Sequence, residues 1–213
     1  MTEDYFQPIR DISEKLGLDV HEEAIGRFGK YLAFLKKWSK AYNLTSITDD
    51  EEIIKKHFVD SLIYLCAFPD DVSTVLDAGS GAGFPGVPLK IARSGIDVYL
   101  VEPSRKKAVF RRTLIKELAL SDISVVECRV EDLPCGYKGL PVYYDVVTTR
   151  ALFTASELVE KVSGLSGESG IILLSKGPSY RDELEDISHL NVEVITPDLR
   201  EFGMERNLIV IRK

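Results

Sequence analysis

Residues 75–86 read Val-Leu-Asp-Ala-Gly-Ser-Gly-Ala-Gly-Phe-Pro-Gly, and this stretch decides the fold. An apolar strand pattern runs into Asp77 and then into a loop that has glycine at four of its eight positions, namely Gly79, Gly81, Gly83 and Gly86. Because glycine has no Cβ, such a loop adopts positive φ and brings backbone N–H groups close to a nucleotide-like ligand. The stretch predicts a strand, a cofactor-binding loop and a helix, in preference to a tight β-to-α turn that binds nothing.

The glycines fit two cofactor patterns, depending on where the pattern starts. Residues 81–86 match the dinucleotide pattern G-x-G-x-x-G, with Glu102 about 20 residues further on. Counted from Asp77 through Gly79, Gly81 and Gly83, the same stretch resembles motif I of the class I methyltransferases that use S-adenosylmethionine (AdoMet). The second register is favoured. A nicotinamide- or flavin-dependent oxidoreductase is the alternative, although no residue suited to handling a hydride is evident.

Composition bounds the class of protein. The 213 residues suit one α/β domain with a helical extension, and 45% hydrophobic and 29% charged residues are typical of a soluble globular protein. The net charge of −7 argues against binding nucleic acid through one long basic surface. No apolar run is long enough to span a bilayer, and the acidic start is unlike a signal peptide, so we expect a cytoplasmic protein without membrane contact.

Cysteine and histidine spacing predicts neither disulfides nor a metal site. Cys66, Cys128 and Cys135 are odd in number and do not form a C-x-x-C pair, and the three histidines lie far apart in sequence. We therefore expect reduced thiols and no metal.

The hydrophobic pattern divides the chain at residue 70. Residues 1–70 predict a helical extension with helices at 3–16, 21–42 and 49–69, and residues 71–213 predict the AdoMet-binding domain. Strands and helices alternate in the second part, which indicates a mostly parallel seven-stranded sheet with helices on both faces. The predicted strands are 73–77, 97–102, 123–127, 144–149, 170–175, 191–196 and 206–212, the last two forming an antiparallel pair. Helices are predicted near 86–93, 104–119 and 154–163.

Charged residues follow several strands at the edge where open α/β sheets bind ligands. Glu102 ends the second strand and suits the ribose hydroxyls, or else pairs with Arg105. After the third strand, Glu131 or Asp132 suits the adenine amino group, or caps a turn. Arg150 ends the fourth strand, where it contacts the AdoMet carboxylate, an RNA phosphate or a structural salt-bridge partner.

Two clusters of cations stand out against the acidic background. Arg105, Lys106, Lys107, Arg111 and Arg112 form the denser cluster on one predicted helix, and Lys36, Lys37 and Lys40 form the second. Lys176 adds a cation after the fifth strand. We expect an anionic partner at these positions, with a solvated helix face as the alternative.

Three sequence blocks resemble the GidB/RsmG family of bacterial small-subunit ribosomal RNA guanine-N7 methyltransferases over nearly the full length. They are residues 38–45 with 57–62, residues 79–89 and residues 175–177. The middle block is the most specific, because Phe-Pro-Gly-x-Pro is unusual after a methyltransferase glycine loop, whereas Pro-Ser-Arg at 103–105 departs from a common Asp-Ser-x. The resemblance implies AdoMet contacts at Gly79, Phe84, Val130, Glu131 and Arg150, and 16S ribosomal RNA or the small subunit as partner.

The implied reaction needs little acid–base chemistry. Guanine N7 carries a free lone pair at neutral pH, so catalysis by positioning suffices and no general base is assigned. Asn43, His57 and Asp60 are candidates for a wall that faces the RNA, although His57 and Asp60 are also spaced to bond each other. A protein that binds RNA but has lost cofactor affinity is a third hypothesis, against which the intact glycine loop argues.

Overall fold

The computed structural model describes residues 5–133, 139–150 and 152–212, so Cys135 lies outside the described residues. A seven-stranded sheet runs through the molecule in the order β3-β2-β1-β4-β5-β7-β6. Strands β1 to β5 are parallel, and β7 is antiparallel to both β5 and β6, which confirms the mostly parallel sheet and the closing antiparallel pair. The strands are β1 Thr74–Ala78, β2 Asp97–Val101, β3 Ile123–Val126, β4 Tyr144–Arg150, β5 Ser166–Lys176, β6 Asn191–Ile195 and β7 Asn207–Arg212.

Eight α-helices occur in the described ranges. They are α1 Gln7–Lys15, α2 Glu22–Tyr42, α3 Asp50–Ile53, α4 Asp60–Leu62, α5 Gly86–Ala92, α6 Arg105–Glu117, α7 Ala155–Val162 and α8 Arg181–Glu185. A π-helical turn, Ile54–Val59, joins α3 to α4, and a 3₁₀ turn, Ile63–Ala67, follows α4. The third predicted helix is therefore one helical stretch with a widened turn in its middle, a feature that often marks functional positions.

Polar side chains begin the helices that follow the strands. Ser104 accepts a hydrogen bond from Lys107 N at the start of α6. Thr154 and Glu157 form a reciprocal capping box at the start of α7. Both caps satisfy backbone N–H groups that a helix leaves unpaired, so they fix the starts of α6 and α7 shortly after β2 and β4.

The sheet separates two apolar layers. Alternate strand residues such as Val75 and Leu100 face α2, α5 and α6, whereas Leu76 and Val147 face α7. Helices of the first 67 residues share the first layer with α5 and α6. The predicted division at residue 70 stays a prediction, because a shared core does not tell whether the extension folds separately.

Two elements differ from the predictions. Strand β5 begins at Ser166, four residues before the predicted start. The prediction missed residues 166–169 because they are polar or glycine and carry no alternating apolar pattern. Helix α8 was not predicted, because its five residues include four charged ones. None of the described helices is both long and apolar enough to cross a membrane.

The π-helical turn connects the extension to the rest of the core through Phe58. Its fully buried ring lies 5.2 Å from the rings of Phe28 and Tyr31 and 6.0 Å from that of Phe84. We expect Phe58→Ala to lower the free energy of unfolding by about 3–5 kcal/mol, because it leaves a cavity among aromatic rings. Urea denaturation measures this, with the exposed Tyr143→Ala as control. A separate early transition in the wild type would show that the extension unfolds alone.

Candidate functional site

The loop of residues 79–86, here called the glycine loop, follows β1 and turns back over the end of β2. Gly79 N and Ser80 N donate hydrogen bonds to Val101 O at 2.8 and 3.1 Å. Gly79 and Gly81 have φ of +74° and +54°, which non-glycine residues rarely adopt. The loop therefore packs at the carboxyl ends of β1 and β2, where Gly79 and Gly81 are half-buried and the rest of the loop is buried.

Glu102 holds the loop from the end of β2. The buried carboxylate accepts hydrogen bonds from Gly81 N at 3.1 Å and Ser104 N at 3.2 Å, and Lys107 Nζ lies 3.5 Å away. A carboxylate has about four acceptor positions, so it can accept further hydrogen bonds from ribose hydroxyls. This geometry suits the predicted role of Glu102.

Asp77 holds the other end of the loop. It is fully buried and accepts a hydrogen bond from Gly86 N at 2.8 Å, while its second oxygen has no partner among the described residues. Burial raises the pKa of Asp77 to about 7, against the lowering effects of the Gly86 hydrogen bond and of Arg111 and Arg150. Its charge therefore changes near neutral pH.

A cavity of about 280 Å³ opens beside the loop. It is lined by Gly79, Val101, Pro103, Arg129, Val130, Glu131, Leu152 and Phe153. A hydrogen bond from its own backbone and another from Lys161 lower the pKa of Glu131, which is a carboxylate at neutral pH. Glycine is favoured at position 79 by its φ of +74°, and a Cβ there would also require the end of the exposed Leu152 side chain to move. This lining suits AdoMet, because it offers backbone groups, apolar surface and the Glu131 carboxylate, and it lies next to Glu102.

Phe84 stands apart from that cavity, in a second group of residues. Its ring stacks on Tyr31 at 5.2 Å and on His57 at 4.7 Å, and the Arg150 guanidinium lies 4.8 Å from the ring centre. Burial and the nearby Arg150 lower the pKa of His57 to about 4. His57 is therefore neutral at pH 7, with its Nε2 2.8 Å from the Thr45 hydroxyl.

Arg150 joins this group to the N-terminal helices. Its Nη1 donates to Lys56 O at 2.9 Å and lies 3.4 Å from the Asp60 carboxylate, which also pairs with Arg206. His57 and Asp60 thus meet through Arg150, and no direct bond between them is needed. The salt bridge that the sequence left open for Arg150 is present, and its contact with AdoMet stays a prediction.

The structure contradicts the RNA-binding role predicted for two cations, Arg111 and Lys176. Arg111 is fully buried and donates to Gly81 O, so it cannot reach a phosphate. Lys176 is mostly buried, pairs with Glu183 at 2.9 Å and donates to Phe153 O at 2.7 Å, so its charge is already compensated. Both side chains face inward because they hold loops at the carboxyl ends of the strands.

Four other residues predicted to bind RNA lie at the surface, namely Arg105, Lys106, Arg112 and Asn43, whereas His57 is half-buried. Arg105, Lys106 and Arg112 are exposed on α6, and only Arg112 pairs with a described carboxylate, Glu127 at 3.2 Å. Asn43 ends α2 in the left-handed conformation. It lines a separate cavity of about 320 Å³ with Lys36, Ser39, Lys40, Thr45, Ser46, Ile47, Thr48 and Ile53.

Sequence reasoning missed several residues of the site. Tyr31 donates to Ala82 O at 2.7 Å from within the apolar stripe of α2, where its hydroxyl was the available signal. Arg129 and Phe153 line the cavity, and their positions just beyond strand ends were the corresponding signal. Arg206 has no such signal, because it precedes the last strand and reaches Asp60 only through the fold.

Comparison with known proteins decides the family. The profile of the GidB family, described as rRNA small subunit methyltransferase G, matches residues 24–206. The chain belongs to this family. It is an AdoMet-dependent methyltransferase of the class I fold, which confirms the favoured register of the glycine loop. The alternative of a nicotinamide- or flavin-dependent oxidoreductase receives no support.

Relatives match the methyltransferase over nearly its whole length. A protein of Clostridium kluyveri, named ribosomal RNA small subunit methyltransferase G, is 34% identical over 99% of this chain and 91% of its own. One of Roseiflexus castenholzii with the same name is 39% identical over 95% of this chain and 88% of its own.

Solved structures share the fold at low identity. Magnesium protoporphyrin IX methyltransferase from Synechocystis, solved with bound AdoMet, has a TM-score of 0.57 at 15% identity, covering 86% of this chain and 97% of that one. An rRNA methylase from Streptococcus thermophilus has a TM-score of 0.51 at 16% identity, covering 72% of this chain and 94% of that one. At these identities the likeness concerns the fold alone.

Valine at position 81 tests the role of the glycine loop. A Cβ there has no neighbour closer than 3.9 Å, so the expected defect of Gly81→Val comes from the φ of +54°. Such strain costs of order 1–3 kcal/mol, and we expect AdoMet affinity to fall by roughly 10- to 100-fold as the loop relaxes. Calorimetric titration measures this. Gly95→Val is the control, because Gly95 has open space and no positive φ, and equal affinities for the two variants would contradict the assignment.

Proposed function

We propose that this methyltransferase transfers the methyl group of AdoMet to N7 of a single guanine in a loop of 16S ribosomal RNA, as free RNA or within the small subunit, in the bacterial cytoplasm. The names of the relatives support the RNA class. The choice of N7 is supported by the protonation states of the side chains around Phe84.

Among the described side chains that contact Phe84, none is suited to removing a proton from a substrate. His57, with its pKa lowered to about 4, is too weak a base near neutral pH, and its ring nitrogens already meet Thr45 and Arg150. Asp60 is paired with two arginines. The acceptor atom should therefore carry a free lone pair and no proton, and guanine N7 meets this requirement.

The cofactor contacts follow from the cavity. Gly79, Val130 and Glu131 line it, and Gly81 and Glu102 are joined at its side by a hydrogen bond. We assign these residues to AdoMet, with Glu102 at the ribose and Glu131 at the adenine. Bound there, AdoMet supplies an electrophilic methyl group. The residues contribute by holding the reactants in line and excluding water, and effective concentrations gained this way account for a large share of such rate enhancements.

Phe84, His57 and Arg150 suit the wall that receives the guanine. Methylation at N7 places positive charge on the guanine ring, and an aromatic face stabilises such a charge. Phe84 is buried against Tyr31 and His57, so the half-buried His57 ring offers that face. The neutral ring of His57 adds no second cation beside Arg150. We therefore assign the guanine to the Phe84 side of the glycine loop.

Exposed cations provide the surface for the RNA backbone. Arg105 and Lys106 on α6 form no salt bridge with a described residue, nor does Lys40 beside Asn43 on α2. Since N7 lies in the deep, narrow groove of A-form RNA, the target is a splayed base in a loop, and the flanking backbone runs over these helices.

Charge reversal on α6 tests this surface. We expect Lys106→Glu to raise the KM for RNA roughly tenfold at low salt, and to reduce the slope of log affinity against log salt by about one or more. AdoMet affinity should not change. Lys116→Glu is the matched control, because Lys116 is exposed near the other end of the same helix. If both reversals act alike, the effect is one of overall charge and the surface is assigned wrongly.

The reaction itself is tested by methyl transfer from labelled AdoMet to hypomethylated 16S RNA and to intact small subunits. Chemical cleavage specific for N7-methylguanine then locates the product. We expect one cleaved position, and the better substrate identifies free RNA or the assembled subunit as partner. Label that enters RNA without creating a cleavage site would exclude N7, and AdoMet binding without any incorporation would exclude the ribosomal target.

A further inference from the structure

Arg111 is the largest fully buried side chain of the described residues. It lies on the inner face of α6, in the stripe formed with Ala108 and Leu114. Burying a guanidinium is costly unless its charge and its donors find compensation. An apolar residue at this position would fill the same stripe without that cost, so the charge of Arg111 needs an explanation.

The hydrogen bonds of Arg111 account for only part of its donors. Nη1 donates to Gly81 O, at the centre of the glycine loop. Nε and Nη2 are buried without a hydrogen-bond partner among the described residues. Burial lowers the pKa of Arg111 to about 10, while Glu102 and Asp77 act to raise it, so it stays protonated at neutral pH.

The carboxylates near Arg111 are those that bind the loop backbone. Glu102 accepts from Gly81 N, and Asp77 accepts from Gly86 N. Both backbone polar groups of Gly81 are therefore bound: Glu102 accepts from its N–H, and Arg111 donates to its carbonyl oxygen. The positive charge of Arg111 also acts to lower the pKa of Asp77, and so favours its charged form, which is the better hydrogen-bond acceptor.

We propose that Arg111 is a positioning residue for AdoMet: its buried guanidinium fixes the Gly81 peptide from the carbonyl side, opposite Glu102, so that the glycine loop is ordered before the cofactor arrives. This rests on the assignment of the glycine loop to AdoMet. It gives Arg111 a role in cofactor affinity and none in RNA binding.

Asp77 makes the role of Arg111 measurable through pH. The charged and titratable groups that act on it are Arg111 on α6, Arg150 at the end of β4, Glu102 at the end of β2, Tyr31 on α2 and Tyr64 in the 3₁₀ turn. Both tyrosines are neutral, because burial raises their pKa. Asp77, with a pKa of about 7, is charged above neutral pH and loses its charge as pH falls. Removing Arg111 should move this loss to higher pH.

The experiment compares Arg111→Met and Arg111→Lys with the wild type, in AdoMet titrations from pH 6 to 9. Methionine keeps much of the apolar stem and removes the charge, and lysine restores the charge without the planar fork. We expect Arg111→Met to weaken AdoMet binding about 10- to 100-fold at pH 7.5 and to shift the pH midpoint of affinity upward. Arg111→Lys should return the midpoint towards the wild-type value and recover part of the affinity.

Two controls identify the groups responsible. Lys116→Met, an exposed position on the same helix, should change neither affinity nor midpoint. Asp77→Asn removes the titrating group, so adding Arg111→Met to that variant should no longer shift the pH midpoint of affinity.

Kinetics with RNA separate this proposal from the alternatives. At saturating AdoMet, both Arg111 variants should keep the wild-type KM for 16S RNA. Unchanged AdoMet affinity and midpoint in Arg111→Met would overturn the proposal, as would a raised KM for RNA with normal AdoMet binding. If Arg111→Met does not fold, Arg111→Lys tests the proposal by itself, and wild-type AdoMet affinity in Arg111→Lys would overturn it. Absence of RNA methylation by the wild type would reject the proposed substrate and leave the AdoMet result intact.

Discussion

The glycine loop is held in place by side chains that lie outside it, and the rest of the site depends on this constraint. Glycine loses more conformational freedom on folding than any other residue and offers no side chain for packing. The order of the loop must therefore come from its surroundings. Asp77, Glu102, Tyr31 and Arg111 each bind a backbone N–H or carbonyl of the loop, and they come from β1, β2, α2 and α6 respectively.

This arrangement gives the N-terminal helices a part in the cofactor site. Tyr31 reaches the loop from α2, and its ring packs between Phe58 of the π-helical turn and Phe84 of the loop itself. His57, from the same turn, lies on Phe84. One aromatic stack thus forms both the support of the glycine loop and the wall assigned to the guanine. A change in the packing of the N-terminal helices would therefore alter both the glycine loop, assigned to AdoMet, and the wall assigned to the guanine.

The sequence predicted the sheet well, because each strand is a short apolar run bounded by turn residues or charge. It also predicted that the glycine loop and Glu102 lie together at the carboxyl edge of the sheet, since the glycine pattern and the strand-end carboxylate are local signals. Arg111 was misjudged for a different reason. Ala108, Arg111, Leu114 and Leu118 recur at helical spacing on the buried face, so the periodicity was present in the sequence. The density of neighbouring cations suggested a solvated face, and only the packing of α6 on the loop distinguishes the inward-facing arginine from the outward-facing ones.

The electrostatics around Phe84 suit an acceptor that becomes positively charged during the reaction. Arg150 shares the Asp60 carboxylate with Arg206, so its charge is partly compensated before any substrate arrives. A protonated His57 would place a second cation against the same aromatic ring and would oppose the charge that forms on the guanine. Burial and Arg150 together prevent this, because they lower the pKa of His57 to about 4. The features that make His57 unfit as a general acid or base near neutral pH are those that make it a neutral surface for stacking. The wall therefore disfavours acceptor atoms that must first lose a proton. It favours a ring nitrogen that already carries a free lone pair.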